Sequence, residues 1–188
     1  MHNIILASQS PRRKQLLEWA EISFDVITSD ADESFSADLN VAEVPVFIAR
    51  KKALAVQQRI HNNGQIILAA DTLVILDGKI IAKPADEKHA IEILQLLSGK
   101  KHLVITGVVI LKDKKEISFS DTTEVIFHTL TNEQIKFYVD KYKPFDKAGA
   151  YAIQEWIGVV GIKSIKGDFY NVMGLPVSRV VQQLHKLM

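Results

Sequence analysis

The apolar positions of this chain alternate between two periods. Ile4-Ile5-Leu6-Ala7 is an unbroken apolar run, the pattern of a short buried strand. Ser10 before Pro11 sets an N-cap with proline at the first helical position, and Leu16, Leu17 and Ala20 follow at helical spacing. A second helix is expected from about Val44 to Ile60, stopped by Asn62-Asn63-Gly64. Gln65 to Leu76 is almost continuously apolar, which predicts a strand covered on both faces. Asp77-Gly78 is a hairpin turn into Lys79-Ile80-Ile81. A third helix spans about Asp86 to Leu97 and ends at Ser98-Gly99. His102 to Lys112 and Glu116 to Phe127 read as long strands joined around Asp113-Lys114. Thr131-Asn132-Glu133-Gln134 is a capping box that opens a fourth helix. Ala150 to Gln154 and Val159 to Ile165 read as further strands. Pro176 starts a last helix with Val177, Val180, Val181 and Leu184 turned inward.

Helices interleaved with buried strands predict an α/β fold with a long mixed sheet, whose strand order the periodicity leaves open. At 188 residues, without repeats, low-complexity tracts or a Pro/Ser/Gly-rich linker, a single domain over residues 1–188 is expected. The 47% hydrophobic and 24% charged fractions exclude a mostly disordered chain. Lys+Arg number 23 against 22 Asp+Glu, so no strong basic field exists to recruit many phosphates. Phe and Tyr do not interleave with a basic stripe either, and nucleic acid is not an expected partner. The absence of Cys excludes a disulfide framework and a thiolate metal site, and fits a cytoplasmic location. The start from Met1 to Ala7 has no basic n-region, so no signal peptide is expected. No apolar run reaches the roughly 18 residues of a membrane span, so no membrane partner is expected.

Three groups of residues carry candidate chemistry. Ser8-Gln9-Ser10-Pro11-Arg12-Arg13-Lys14 feeds a strand end into a helix N-terminus, where free N–H groups and the dipole favour an anion. Three consecutive cations in a first helical turn oppose that dipole. They make sense beside a multiply charged anion such as a polyphosphate; the plainer alternative is a surface cluster reaching into water. Asp71, among Ile67, Leu68, Leu73 and Val74, is costly to bury unless paired or metal-bound, and suits a general base. Lys52 and Lys83 taken singly read as solvent-exposed, Lys83 in a loop because Pro84 follows it. From Glu21 to Glu43 there are seven acids and no Lys or Arg, a solvated loop or a cation site. There is no zinc-type His pair, P-loop, GxGxxG or nucleophile elbow. A phosphate cradle, a buried carboxylate, flanking Lys and acids able to hold Mg²⁺ together suit metal-assisted phosphoanhydride hydrolysis.

In order along the chain, these pieces resemble the signature of the Maf family: Ala7 to Arg13, Ala70-Asp71-Thr72, Lys83-Pro84, His102 with Thr106-Gly107, Lys147 to Tyr151 with Ile153-Gln154, and Asn171-Val172 with Gly174-Leu175-Pro176. The resemblance covers residues 4 to about 180. It implies a nucleoside triphosphate pyrophosphatase that yields the monophosphate and pyrophosphate, with a divalent cation, Mg or Mn. It also implies an elongated α/β fold, related to the inosine triphosphate pyrophosphatases, with a central cleft and often a dimer. Arg12 after Pro11, and Lys147 to Gln154, are similar to the branch acting on dTTP and UTP, a role in clearing surplus or non-canonical nucleotides. In that branch Asp71 matches the proton acceptor, and Arg12, Thr72 and Gln154 the specificity positions. Glu33, Lys52 and Lys83 match the remaining polar cleft positions. On this reading Glu33 and Asp71 hold the metal, and Ser8, Arg12, Arg13, Lys52 and Lys83 bind the triphosphate. Glu155-Trp156, where small residues are usual, and Asp168, where Ser is common, depart from the pattern. The alternatives are 7-methyl-GTP hydrolysis by the same chemistry, and a nucleotide sensor in division control that does not hydrolyse.

Overall fold

The computed structural model describes residues 4–36, 38–60 and 64–187. The opening Met1 to Asn3 and the expected helix stop at Asn62-Asn63 lie outside the described residues. The elements in chain order are β1 (Ile4–Leu6), α1 (Pro11–Trp19), β2 (Phe24–Val26), α2 (Val44–Arg59), β3 (Ile66–Leu76), β4 (Lys79–Ile81), α3 (Glu87–Leu97), β5 (Lys101–Lys112), β6 (Lys115–Phe127), α4 (Asn132–Tyr142), α5 (Trp156–Gly161), β7 (Ile162–Lys166), α6 (Phe169–Met173) and α7 (Val177–His185). The sheet has the order β2-β1-β3-β5-β6-β7, with β4 paired to β3. β1 runs parallel to β2 and β3, whereas β4 is antiparallel to β3 and β7 to β6, so the expected mixed α/β sheet flanked by helices is what forms.

The chain divides into two compact units, and the breaks fall inside the long strands. The first unit comprises Met1–Asp71, Thr106–Asp121 and Gly174–Met188; the second comprises Thr72–Ile105 and Thr122–Met173. In the first, α2 turns Ala49, Ala53 and Val56 onto Ile5 and Ala7, Ile67 and Ala69, and Val109 and Leu111. Strand side chains alternate between faces, so Gly107 faces α2 with Val109 and Leu111. A Cβ there would stand 2.2 Å from the Val46 nitrogen, which is why the helix needs glycine beneath its first turn. In the second unit, Ala90, Ile93, Leu94 and Leu97 of α3 and Ile135, Tyr138 and Val139 of α4 are buried. The predicted capping box of α4 forms, with Thr131 and Gln134 each satisfying the other's backbone N–H.

Two of the predicted strands are corrected. Residues 150–154 form no strand: a 3₁₀ turn at Ala148–Ala150 is followed by a tight turn. Gly149 and Ala150 hold φ of 70° and 57°, outside extended geometry, and the Ala152 N–H is taken by the Tyr138 hydroxyl rather than a neighbouring strand. Residues 159–161 end a helix, and only Ile162–Lys166 are strand. There the Glu155 carbonyl collects the Gly158 and Val159 N–H groups, and this local bonding overrides the strand preference of the two valines. β2, inside the acidic segment, and the short α6 carry no clear periodic signal and went unpredicted.

Candidate functional site

The first unit gathers six of the predicted residues. Ser8 closes the loop between β1 and α1: its Oγ accepts from the Ser10 N–H at 3.2 Å and from Arg13 Nη1 at 3.1 Å. The first helical turn carries no acid, and Ser10 makes no side-chain cap. Arg13 does not reach into water. It is buried, and its Nε donates to the Gly174 carbonyl at 2.7 Å. Burial lowers its pKa, while the charges of Asp71 and Glu33 pull it back up and that of Arg12 opposes them. Arg12 is half-buried.

Lys52 overturns the solvent-exposed reading. Positions 49, 52, 53 and 56 share one face of α2, so Lys52 stands beside the alanines that touch the sheet. On β3, Asp71 has the parity of Ile67 and Ala69 and faces the same helix. Lys52 Nζ donates to Asp71 Oδ1 at 2.7 Å and lies 2.7 Å from Glu33 Oε1. The acidic segment follows α2 through three such pairs: Asp30 with Arg59 at 4.0 Å, Asp32 with Lys51 at 3.3 Å, and Glu33 with Lys52. Bonds from Ser34 and Lys51 hold the Asp32 carboxyl down to about 2.

The donor set suits a hard divalent cation. Two carboxylates, Glu33 and Asp71, converge on one point where positive charge now stands. Among the described residues no group of three acid or His side chains forms a protein-only cage. Mg²⁺ characteristically takes one or two carboxylates, several waters and substrate phosphate oxygens.

The remaining predicted residues belong to the second unit. Thr72 directly follows Asp71 in β3 and is half-buried. Lys83 is exposed, as expected, in the loop after β4, where the Ala85 N–H donates to His89 Nδ1 at 3.2 Å. Gln154 occupies the turn before α5, and its Oε1 is buried without a hydrogen-bond partner. A buried acceptor left unpaired costs free energy, which a donor brought by a ligand would relieve.

Lys147 falls in the family-like run but receives no site role from the sequence. Its Nζ is buried 2.8 Å from Asp146 Oδ1 and 3.7 Å from Glu155 Oε1. The family-like run from Lys147 to Tyr151 was the signal that pointed there. Other residues of the family pattern are braces: Asn171 Nδ2 donates to the Val104 carbonyl at 3.1 Å and to Thr123 Oγ1 at 3.0 Å, and Thr123 Oγ1 donates to the Asp168 carbonyl at 2.8 Å.

A family model described as Maf-like protein matches residues 3–187. The dTTP/UTP pyrophosphatase of Bacteroides thetaiotaomicron is 49% identical over 187 residues, 99% of this chain and 96% of that one. The dTTP/UTP pyrophosphatase of Cytophaga hutchinsonii is 49% identical over 189 residues, 100% of this chain and 86% of that one. Among solved structures, the Staphylococcus aureus Ham1 protein aligns with a TM-score of 0.52 and 16% identity over 96% of this chain and 99% of that one, a likeness of fold. No helix among the described residues is long and apolar enough to cross a membrane.

Proposed function

The chain belongs to the Maf family, and from that premise we propose that it is a nucleoside triphosphate pyrophosphatase that hydrolyses dTTP and UTP to the monophosphate and pyrophosphate. The observation that carries the reading is the convergence of Lys52 on Asp71 and Glu33, with Arg13 held within the field of both acids. Water attacks the α-phosphorus, the bond to the bridging oxygen breaks, and pyrophosphate leaves. Asp71 accepts the water's proton at a carboxylate oxygen. Arg12, Arg13, Lys52 and Lys83 bind the phosphate chain and offset charge on the leaving group, and the Ser8 hydroxyl supplies a donor. A divalent cation would be held by Glu33 and Asp71, and would supply positive charge to the phosphate oxygens. Thr72 and Gln154 meet the base. A Gln amide both donates and accepts, which matches the O4/N3–H edge shared by thymine and uracil.

The test is a product assay on the purified protein with each common triphosphate and 7-methyl-GTP. Monophosphate and pyrophosphate in equal amounts, from dTTP and UTP first, with loss of activity in EDTA, is the expected result. Diphosphate and orthophosphate would overturn the attack at the α-phosphorus; 7-methyl-GTP in the lead would overturn the choice of base.

A further inference from the structure

Gln154 sits on a turn that is tied at both ends to one buried oxygen. The Glu155 N–H donates to the Ala152 carbonyl at 3.1 Å, which makes Ala152 to Glu155 a four-residue turn with Gln154 third. The Ala152 N–H donates to the Tyr138 hydroxyl at 3.2 Å, and that hydroxyl donates to Glu155 Oε2. One phenol oxygen therefore holds the first and last residues of the turn. Tyr138 is itself wholly buried in α4, stacked on Tyr142 with ring centroids 5.0 Å apart, so the anchor has little freedom. Lys147 lies 3.7 Å from the other oxygen of the same carboxylate. The turn also presses on α5: a Cβ at Gly158 would meet the Ile153 carbonyl oxygen at 1.7 Å. Against this fixed frame the Gln154 Oε1 is buried and unpaired. A loose turn would let the amide swing to a partner; a clamped one holds it unsatisfied.

We propose that Glu155, held by Tyr138 and Lys147, is a positioning residue for base selection. It fixes the turn so that the Gln154 amide meets the base in one orientation. The inference rests on the base-contacting role given to Gln154 above. Glu155 acts on the reaction only through the orientation it gives Gln154; its side chain is engaged by Tyr138 and Lys147.

The test is a double-mutant cycle read on kcat/KM for UTP, CTP and ATP. Tyr138→Phe removes the hydroxyl and keeps the ring, Glu155→Ala removes the acceptor, and Glu155→Gln keeps an oxygen for Tyr138. Tyr138→Phe and Glu155→Ala should each lower kcat/KM for UTP about tenfold, the scale of a buried polar group left misplaced. The rates on CTP and ATP should stay within about twofold, and Glu155→Gln should recover most of the loss. In a Gln154→Ala background neither substitution should cost anything further, because coupled residues are not additive. Equal losses on all three nucleotides, or losses that persist undiminished in that background, would overturn the proposal. Melting temperatures of every variant identify any that fail to fold, and Tyr138→Phe and Glu155→Ala reach the clamp by separate routes. If the wild type shows no preference for UTP, the base assignment fails; the cycle, run on whichever triphosphate leads, still decides the role of Glu155.

Discussion

Lys52 donates from Nζ to Oδ1 of Asp71 at 2.7 Å, and the two side chains are only 13% and 12% exposed. Such a pair is costly to dehydrate and contributes little to stability by itself. Its value lies in holding a carboxylate at a fixed place beside a cation that a triphosphate can engage. Asp71→Asn retains one oxygen for Lys52, while Glu33 continues to balance the ammonium. The melting temperature should therefore move by less than about 5 °C. Activity should fall by at least about 10²-fold, the scale of a lost general base. Calorimetry and single-turnover hydrolysis on one preparation check both. An active enzyme with a large loss of stability would make the pair a structural strut.

Arg13 offers a sharper test of the loop before α1. Its Nε and Nη1 reach the Gly174 carbonyl and Ser8 Oγ from one rigid fork. A lysine has a single ammonium on a flexible stem and cannot reproduce both directions. Charged hydrogen bonds of this kind contribute about 1.5–3 kcal/mol. Arg13→Lys should lower the melting temperature by roughly 5–10 °C and raise KM for the triphosphate. An unchanged melting curve would show that the two bonds contribute nothing to the fold.

The contrast between Thr131 and Lys52 shows where the sequence was legible. The capping box joins residues three apart, and the turn at Asp77-Gly78 is equally local, so both could be read from residue types. β3 could be read because its apolar run is long. Lys52 joins two acids that each lie 19 residues away in the chain, and what brings them together is the alanine face of α2 on the sheet. No local pattern announces that packing; the family resemblance marks Lys52 and Glu33 only as polar cleft positions. The turn carrying Gln154 was misread for the same reason. Its apolar residues fit a strand, but its N–H groups are answered by Tyr138 and by its own carbonyls.

His102 predicts a pH effect on stability. It is 1% exposed, with Nε2 2.8 Å from the Tyr151 hydroxyl and Nδ1 buried without a partner. Burial lowers its pKa from 6.5 to about 4. Between those values the unfolded chain binds a proton that the folded chain refuses. The contribution of His102 is therefore complete above about pH 6.5 and is lost as pH falls toward 4. The loss between pH 7 and 4.5 is about 2–3 kcal/mol for this group. Urea unfolding of wild type and His102→Gln at both pH values measures it: the variant should lose less on acidification. Parallel losses would show that His102 does not titrate as its burial requires.

Substrate choice turns on the unpaired Gln154 oxygen. In the turn before α5, Oε1 is buried and waits for a donor. The N3–H of thymine or uracil supplies one, and the amide NH₂ can answer O4. Cytosine reverses that edge, with an amino group at C4 and no hydrogen on N3. It would leave the amide facing like groups, at about 1–3 kcal/mol, or roughly ten- to a hundredfold in kcat/KM. The thymine methyl is worth only about 1 kcal/mol against an apolar wall. dTTP and UTP should therefore lie within a few-fold of each other, and both well above CTP and the purine triphosphates. Gln154→Ala should lower the rate on dTTP and UTP toward that on CTP while the rate on CTP changes little, because the phosphate machinery around Asp71 is untouched. Steady-state kcat/KM for dTTP, UTP, CTP, ATP and GTP on both proteins checks it. A variant that keeps the wild-type preference would remove Gln154 from base recognition and leave the discrimination to Arg12 and Thr72.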